Sequence, residues 1–480
     1  MSELNSDPVE FVTLGELTDK PVDQTGPLSD FIYIDISCID RESKKIIDPK
    51  NVLLSEAPSR AKQVLKDGDI LVSMTRPNLN AVAFVPSHLD GAIGSTGFHV
   101  LRSSWLHPRY LLALVQTNDF VDAMSAVVQG ALYPAVRPRD IAAYSLRFET
   151  PKHQTRIVEK LEELLTGLDA GVAELKAAQK KLAQYRQSLL KAAVEGALTA
   201  QWRVNNSPTE TGAQLLERIL QERRARWEAK QLAKFKEQGK APPKDWQKKY
   251  PEPVQPDTTD LPEFPHGWGW GSFEQLFDAL SDSGKKLPQA AYAQAGLLPV
   301  IDQGAQFIGG YTDDVSLLFD GALPVIGFGD HTRRFKLIQN PFVVGADGLK
   351  LISISSAWIP DFAFIACSTL DFEDRGYSRH FQFIRNASFS LPPLAEQNEI
   401  VVSVAARLKE NDDISEAIEL ALKQSAAQRQ NILKAAFSGQ LVPQDPSDEP
   451  ASELLARIRA ERAVQQAVKK PRGRKVKEAA

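Results

Sequence analysis

The chain has 480 residues, of which 43% are hydrophobic and 25% charged, and its formal net charge is −4. This composition is typical of a globular protein with two to four domains, and the acidic balance argues against a uniformly basic nucleic-acid coat. No apolar run approaches the roughly 20 residues of a membrane helix, and the first ten residues lack a signal-peptide pattern.

The two cysteines, Cys38 and Cys367, both lie in apolar surroundings. Two buried thiols in a reducing, cytoplasmic compartment are therefore expected. The sequence contains no zinc-ligand spacing, so no metal site is expected.

Residues 1–150 have the pattern of a mixed α/β domain. A helix is expected over Tyr110–Met124, after Pro108. Short apolar segments bounded by turn residues predict strands. These segments are Phe31–Ile36, Ile70–Ser73, Ala81–Val85 and Gly97–Leu101.

A single long helix is predicted from Lys152 to about Glu195, because apolar residues recur there every three, four or seven positions. Gly196 is a suitable C-terminal stop. A seam of this length needs a partner helix. The seam residues are Ile157, Leu161, Leu164, Leu168, Val172, Leu175, Leu182, Tyr185 and Leu189.

An internal duplication supplies that partner. Residues 189–198 recur in altered form at 432–441, and Gln154–Val158 recurs as Gln397–Val401, both with an offset of 243. Two matches in register indicate a repeat of the whole unit. The second seam consists of Ile400, Val404, Leu408, Ile414, Ile418, Leu422 and Ile432, with Asn411 and Ser425 replacing the leucines of the first copy. Such polar seam residues can fix the register of paired helices.

Between the long helices, Gln214–Lys236 has a basic helical pattern, and 239–260 resembles a Pro- and Lys-rich surface linker. From Lys176 to Tyr250 there are 17 Lys and Arg against 7 Asp and Glu, and the tail from 469 to 480 carries six basic residues and one acid. Basic segments of this kind are usually solvent-exposed helix faces or flexible arms. The more specific alternative is that they contact phosphate groups.

A second α/β domain, predicted from about 261 to 391, mirrors the first. The predicted order is a recognition-type domain (1–150), a long helix (151–200), a basic connector (201–260), a second domain (261–391), a second long helix (392–442) and a C-terminal helix with a basic tail (443–480). The fold class is therefore α+β. Two α/β domains are separated by two long antiparallel coiled-coil helices, with a pseudo-two-fold internal repeat.

Three segments resemble the specificity subunit of type I restriction-modification systems. They are Leu391-Pro392-Pro393-Leu394-Ala395-Glu396-Gln397, the Ile432–Leu441 stretch, and the opening Leu261–Trp268 with Ser283-Gly284-Lys285-Lys286. The resemblance covers nearly the whole chain. The first copy departs from the pattern at Thr150-Pro151-Lys152-His153-Gln154, which lacks the double proline, and Val9–Leu17 lacks a tryptophan-bearing opening.

The resemblance implies a DNA-recognition and assembly subunit without catalytic activity. Each globular domain would read one half of a bipartite, asymmetric site on double-stranded DNA, and the paired helices would set the half-site separation. Two methyltransferase subunits would dock on the helical parts, and restriction subunits could join them. S-adenosylmethionine, ATP and Mg²⁺ would belong to those partners, and this chain would need no cofactor.

The residues agree with a non-catalytic chain. There is no phosphate-binding Gly-x-x-x-x-Gly-Lys-Ser/Thr loop. Asn340-Pro341-Phe342 lacks the second proline of the adenine-methyltransferase motif and is interpreted as a turn. Two alternatives stay open: a self-contained DNA methyltransferase or nuclease with degenerate motifs, and a coiled-coil scaffold that binds protein partners.

DNA-contact candidates are loop residues in which Arg, Lys, His and Tyr gather with Gly and Pro, because Arg suits guanine edges and Lys suits phosphates. The first domain offers Arg76, Tyr133, Arg137 and Arg139; the second offers Lys285, Lys286, His331, Arg333, Arg334, Tyr377, Arg379 and His380. The expected seam and partner-docking residues are Leu161, Leu168, Leu175, Leu182, Leu190, Val404, Leu408, Ile418, Leu422 and Leu433. Leu190 and Leu433 are expected near the base of the opposite recognition domain.

Overall fold

A computed structural model describes residues 10–19, 22, 24–128, 134–259, 261, 263, 265–281, 284–346, 348–371 and 379–468, without the side chains of 465–468. Among these residues no helix is both long and apolar enough to cross a membrane.

The strands are short, as expected for sheets built from many loops. In chain order they are β1 (Phe11–Thr13), β2 (Phe31–Ile34), β3 (Ile39–Asp40), β4 (Lys45–Ile46), β5 (Lys50–Val52), β6 (Ala61–Val64), β7 (Ile70–Ser73), β8 (Val82–Phe84), β9 (Ile93–Ser95), β10 (Phe98–Leu101), β11 (Ser145–Arg147), β12 (Gly269–Ser272), β13 (Phe277–Leu280), β14 (Lys286–Leu287), β15 (Leu298–Ile301), β16 (Gly310–Thr312), β17 (Val325–Gly329), β18 (Phe335–Ile338), β19 (Val343–Gly345), β20 (Leu349–Ile354) and β21 (Ser388–Leu391).

The helices include two of 44 residues each. In chain order they are α1 (Leu14–Leu17), α2 (Pro108–Leu114), α3 (Asn118–Ala126), α4 (Pro138–Ala142), α5 (Pro151–Val194), α6 (Ala200–Asn205), α7 (Gly212–Glu237), α8 (Phe273–Leu276), α9 (Pro360–Ser368), α10 (Phe381–Arg385), α11 (Leu394–Phe437) and α12 (Ala451–Val468). The long helices predicted from the apolar seams are therefore confirmed, as is the basic helix α7.

The chain forms two compact units. Unit 1 contains Met1–Lys176 and Glu419–Ala480, and unit 2 contains Ala177–Ile418. The boundaries between the units lie inside α5 and α11. Each unit therefore combines one α/β domain with the beginning of one long helix and the end of the other.

The sheets of unit 2 repeat those of unit 1. In unit 1, β10-β7-β8 form an antiparallel sheet, β2 and β9 are parallel neighbours in β5-β2-β9-β6, and β1 pairs with β11. In unit 2, β20-β17-β18 are antiparallel, β15 and β19 are parallel neighbours in β14-β19-β15-β16, and β12 pairs with β21. The mirrored scaffold predicted from sequence is confirmed, and the α+β fold class with it.

Each unit packs its core against the end of a long helix. In unit 1, Leu433 and Ala436 of α11 lie in the core with Tyr110. In unit 2, Ala193 of α5 lies in the core with Phe273, and Leu190 packs against it. The repeated Leu-Lys-Ala-Ala stretch therefore packs on the domain that does not precede it in the chain, as predicted.

The two long helices run antiparallel within each unit. In unit 1 an ion pair joins Asp169 of α5 to Arg429 of α11, and in unit 2 Arg186 pairs with Asp412 at 2.9 Å. Later residues of α5 thus meet earlier residues of α11. The seam side chain of Asn411 is 6% exposed and donates to the backbone carbonyl of Leu182 at 3.2 Å. This bond supports the register role expected for a polar seam residue.

A buried glutamine fastens the start of each long helix to its domain. Gln154 accepts a hydrogen bond from the His107 N–H at 2.7 Å and donates to the carbonyls of Trp105 and Glu149. Gln397, 243 residues later, accepts from the Ile359 N–H at 2.8 Å and donates to the carbonyls of Ala357 and Pro392. Both glutamines are fully buried. The duplication therefore preserves a hydrogen-bond network as well as an apolar pattern.

The residue that precedes the buried glutamine differs between the two copies. His153 lies in unit 1 with its Nδ1 2.7 Å from Glu149 Oε2 and its Nε2 3.2 Å from the carbonyl of Val442. Burial raises the pKa of Glu149, but His153, Arg147 and Gln444 together outweigh it and hold that pKa below its usual value.

At the equivalent position of unit 2, Glu396 accepts hydrogen bonds from Arg203, Thr199 and the indole N–H of Trp268. The network around Glu149 and His153 in unit 1 holds the segment after the C-terminal end of α11. The network around Glu396 in unit 2 holds the segment after the C-terminal end of α5. Each of these segments begins with a glycine at φ +78°, Gly196 or Gly439.

The duplication also includes the helices α7 and α12, a correspondence that was not predicted from the sequence. Leu215 and Ile219 of α7 are buried in the core of unit 2, and Leu454 and Ile458 of α12 are buried in that of unit 1. The equivalent residues of α7 and α12 are 239 positions apart in the sequence. Arg218 pairs with Glu210 and Arg457 pairs with Glu449, again at an offset of 239.

Three expectations were wrong in detail. The helix expected over Tyr110–Met124 is divided into α2 and α3, because the Thr117 hydroxyl accepts from the Phe120 N–H and starts a new helix. Tyr185 and Ile414 are each 44% exposed and do not belong to the seam. The linker expected after 239 is partly packed, since Trp246 stacks on Trp227.

The glutamine anchors predict a measurable dependence of stability on Gln397. Gln397→Met keeps the length of the side chain but leaves the buried Ile359 N–H without its acceptor, which costs about 1–3 kcal/mol. We expect the free energy of unfolding from denaturant titration to fall by that amount. Gln428→Met, at an exposed position of the same helix, is the matched control and should change it by less than about 0.5 kcal/mol. Equal stability of both variants would contradict the anchor.

Candidate nucleic-acid interface

In unit 1, two loops that carry candidate arginines are joined by their backbones. The Arg76 N–H donates to the carbonyl of Pro134 at 2.8 Å, and the Val136 N–H donates to the carbonyl of Met74 at 2.9 Å. Arg76, Arg137 and Arg139 are exposed. We call 74–80 together with 134–139 the first arginine surface. Tyr133 lies outside the described residues.

The Arg76 turn has an uncommon backbone conformation. Arg76 has φ 50° and Asn80 has φ 44°, both in the left-handed region that most side chains avoid. The Asn80 side chain donates to the carbonyl of Val115 at 2.9 Å, and Lys44 Nζ donates to the carbonyl of Asn80 at 2.7 Å. These bonds hold the turn from two sides. Burial, followed by the charge of Arg429, lowers the pKa of Lys44 to about 8.

In unit 2, Asp330 organises the turn that carries the second set of arginines. Its Oδ1 accepts hydrogen bonds from the backbone N–H groups of His380 and Phe381, each at 2.8 Å, and its own N–H donates to the carbonyl of Gly348. Asp330 is 3% exposed. Through its carboxylate and its backbone N–H, this one buried aspartate connects the end of β17 with the segment that leads into α10 and with the turn before β20.

Gln303 fixes the other side of the same turn. Its Oε1 accepts from the His331 N–H at 3.3 Å, and its backbone carbonyl accepts from the Thr332 hydroxyl at 2.6 Å. A Cβ on Gly348 would lie 2.5 Å from the Gln303 amide, so only glycine fits there. Arg333 has φ 59°, and Arg334 is exposed. We call 330–334 with Arg379, which is also exposed, the second arginine surface.

Lys336 is an internal support for this region. Its Nζ donates to the carbonyls of Asp302, Gln306 and Phe307 at 2.7, 2.5 and 3.2 Å, and the residue is 5% exposed. Burial lowers its pKa, against the opposing effect of the Asp302 carboxylate. The roles of Asp330, Gln303 and Lys336 were not predicted from the sequence. The pair Gly329-Asp330, directly after a buried strand, is nevertheless a pattern that indicates a constrained turn.

One of the predicted DNA contacts is wrong. His380 is fully buried, and its Nδ1 lies 3.0 Å from the carbonyl of Asp330, so the imidazole supports the turn and cannot reach a ligand. Lys285 forms an ion pair with Asp320 at 3.0 Å, and Lys286 belongs to the edge strand β14. Tyr377 lies outside the described residues. The remaining contacts stay predictions.

The predicted docking residues lie in the helix seam or in the cores. Leu161, Val404, Ile418 and Leu433 are buried. The others are half-buried: Leu168, Leu175, Leu182, Leu190, Leu408 and Leu422. This burial agrees with the seam interpretation, and the buried members cannot also contact a partner. A polar substitution of Leu433 would therefore destabilise unit 1 itself before it affected any docking.

The described residues offer little for catalysis. No group of three or more His, Cys, Asp or Glu within them could hold a metal ion. Cys38 and Cys367 are buried, as predicted, and burial raises the pKa of both thiols. Phe342 is fully buried against Phe319, which supports the interpretation of Asn340-Pro341-Phe342 as a structural turn.

Curated relatives match most of the chain. The type I restriction enzyme EcoDI specificity subunit from Escherichia coli is 26% identical over 392 residues, which cover 76% of this chain and 79% of the relative. The type I restriction enzyme StySPI specificity subunit from Salmonella potsdam is 23% identical over 441 residues, which cover 87% and 84%. No family model matches the chain.

A solved structure shows the same fold. It comes from work on complex assembly and conformational transition of the type I R-M system. It matches with a TM-score of 0.67 at 22% identity, over 91% of this chain and 99% of the solved chain.

The second arginine surface predicts that Asp330 acts through the backbone it holds. Asp330→Ala leaves the Phe381 N–H without its acceptor and removes one of the two acceptors of the His380 N–H, which keeps the backbone carbonyl of residue 330 at 3.1 Å, so we expect a cost of about 1–3 kcal/mol. We expect a clear loss of unfolding free energy, with substantial recovery in Asp330→Asn, which retains an acceptor oxygen. Asp320→Ala removes only an exposed ion pair with Lys285 and should cost about 1 kcal/mol or less. Denaturant titration of the three variants measures the difference; an Asp330→Ala variant as stable as Asp320→Ala would contradict this role.

Proposed function

We infer the function from one premise: this chain belongs to the family of type I restriction-modification specificity subunits. It is therefore a subunit that gives a restriction-modification complex its DNA-sequence specificity, and catalysis lies in other subunits of that complex. The finer description that follows is our proposal.

We propose that each unit reads one half of a bipartite, asymmetric site on double-stranded DNA. The observation that carries this proposal is the duplicated scaffold with different loops. Corresponding sheets present the Arg76 turn, between β7 and β8 in unit 1, and the 330–334 turn, between β17 and β18 in unit 2. A shared scaffold with different exposed side chains lets two domains bind DNA in similar ways and select different bases.

Arginine is the residue type suited to this task. Its planar guanidinium donates two parallel hydrogen bonds to a guanine edge, and each good bidentate contact is worth about 1–3 kcal/mol of discrimination. A turn restrained on several sides favours such contacts, because less conformational freedom is lost on binding. Both arginine surfaces are restrained in this way by hydrogen bonds to neighbouring loops.

The partners follow from the same proposal. Methyltransferase subunits, two in number, would dock on the long helices, and restriction subunits would join them. S-adenosylmethionine, ATP and Mg²⁺ would be bound by those subunits. This chain contributes sequence recognition and a helical docking surface.

We place the docking surface on the exposed side of α11. Val402, in the part of α11 that belongs to unit 2, is 58% exposed, and Leu420, in the part that belongs to unit 1, is 57% exposed. The seam residue Val404 is buried on another side of the helix. Exposed apolar side chains on a helix can form part of a protein-binding surface.

The first test changes the arginines without changing charge. Arg76→Lys with Arg137→Lys should relax recognition of one half-site, because lysine retains the charge but loses the bidentate geometry. Arg333→Lys with Arg334→Lys should relax the other half. Methylation mapping in cells that carry each variant measures both effects. Identical methylation patterns for both variants and the unchanged chain would contradict the assignment.

The docking surface gives a second prediction. Val402→Glu with Leu420→Glu should weaken co-purification of the methyltransferase subunit at least tenfold, while thermal unfolding of the free chain stays unchanged because both residues are exposed. Val402→Ile with Leu420→Met keeps the surface apolar and is the matched control. Unchanged assembly of the glutamate variant would place the docking surface elsewhere.

Two other functions are separated by direct tests. Incubation of the purified chain with labelled S-adenosylmethionine and DNA should transfer no methyl group; transfer without a partner would indicate a self-contained methyltransferase. Exchange of residues 1–150 for those of a related chain should change which half-site is modified. An unchanged site would favour a scaffold that binds only protein.

A further inference from the structure

The C-terminal part of α7 and the segment that follows form a basic finger, which we define as residues 224–250. It carries nine Lys and Arg against three Asp and Glu, in a chain whose formal net charge is −4. None of the apolar clusters of the described fold includes a residue of this finger. The finger is therefore a separate surface feature of unit 2 and does not belong to either arginine surface.

An aromatic cluster holds the finger in a folded form. Trp246 stacks on Trp227 with ring centroids 5.8 Å apart and planes 21° apart, and Phe235 meets the same ring edge-on at 6.0 Å. Tyr250 meets Trp227 at 5.5 Å. These contacts bring Lys244, Lys248 and Lys249 back along the helix. Lys248 pairs with Asp245 at 3.3 Å, and the cations of the finger still outnumber its carboxylates by six.

The helix contributes a row of cations. Arg226, Lys230 and Lys234 recur every four residues, so they lie on one side of α7 about 6 Å apart. All three are exposed. Within the described part of the chain they form no ion pair, whereas Arg218, Arg223 and Arg224, earlier on the same helix, all do. The second half of the helix also carries carboxylates, but Glu228 pairs with Arg224, and among the described residues no ion pair joins Glu237 to the row.

The first part of α7 belongs to the duplicated scaffold. The scaffold part of α7, Leu215 to Arg223, has its counterpart in Leu454 to Arg462 of α12, where Arg462 donates to the carbonyls of Gly15 and Thr18. Packing of the domain explains this part. It does not explain residues 226–250, which extend α7 beyond the packed region and add their own aromatic cluster.

We propose that the basic finger binds the phosphate backbone of duplex DNA, independently of base sequence and outside the segments that the arginine surfaces read. A row of exposed, unneutralised cations complements a regular line of phosphates, and lysine is suited to phosphate rather than to base edges. The finger thereby adds affinity without adding specificity. It goes beyond the proposed function, because it assigns a second DNA contact to a segment that has no role in sequence selection.

The test uses the full chain and two duplexes of equal length, one with and one without the methylated site mapped in cells. The variant Arg226→Gln, Lys230→Gln, Lys234→Gln removes three cations. Loss of three phosphate contacts should reduce the magnitude of the slope of log K against log salt by about 2 to 3 on both duplexes. The ratio of affinities for the two duplexes should stay the same. Arg226→Lys, Lys230→Arg, Lys234→Arg keeps the charge and should bind as the unchanged chain does.

Several outcomes overturn the proposal. An unchanged salt slope in the glutamine variant would show that the row does not contact phosphate. A changed affinity ratio would show that the finger participates in sequence selection. Unchanged DNA binding together with weaker capture of the methyltransferase subunit would identify an acidic protein surface as the ligand. If the unchanged chain binds both duplexes equally, the proposed recognition function fails, but the effect of the variant on the slope still decides the role of the finger.

Discussion

The constraint on which this structure depends is the burial of two apolar seams, each on a helix of 44 residues. A seam of that length cannot be covered by a domain of ordinary size, so each long helix requires another of similar length. Duplication supplies one whose seam has the same spacing. The ion pair between Arg186 and Asp412 and the bond from Asn411 to Leu182 select a single antiparallel alignment from the many that apolar contact alone would allow.

Antiparallel pairing has a consequence for the globular domains. Each unit contains the beginning of one long helix and the end of the other, so the domain must bind both. The beginning is held by a buried glutamine, Gln154 or Gln397, with the same donors and acceptors in both copies. The end is held by apolar packing of the repeated Leu-Lys-Ala-Ala stretch. Hydrogen bonds therefore set the direction in which a long helix leaves its own domain. Apolar burial holds the C-terminal end of the other long helix on that domain.

The sequence predicted the parts of the fold that depend on periodic patterns. The two long helices, the strand β7 and the mirrored domains follow from spacing and from the offset of 243. Prediction from the sequence failed where a single side chain decides the local structure. Thr117 begins a new helix within an apolar pattern that looks continuous, and Trp246 packs on Trp227 across 19 residues that resemble a linker. No periodic signal precedes either contact.

The candidate interface was predictable in composition and not in geometry. Loops with Arg, Gly and Pro indicated the Arg76 and 330–334 turns, but equally indicated His380, which is buried. The residues that shape these turns are Asp330, Gln303 and Asn80, whose partners lie between 28 and 51 positions away in the chain. Only the tertiary fold reveals such partners, so the positions of reading residues could not be derived from the loop sequences.

This division between scaffold and loops bears on how specificity can vary. The glutamine anchors and the helix seam make no use of Arg76, Arg333 or Arg334, of which Arg76 and Arg334 are exposed, so substitutions at these three positions leave the anchors and the seam intact. Asp330 is different: its carboxylate holds two backbone N–H groups of a neighbouring segment, so a change there moves the turn as a whole. Under the proposed function, specificity can therefore change in small steps through the arginines of the two surfaces and in larger steps through the buried residues that position them. The duplicated scaffold allows either change in one unit while the other unit keeps its own loops.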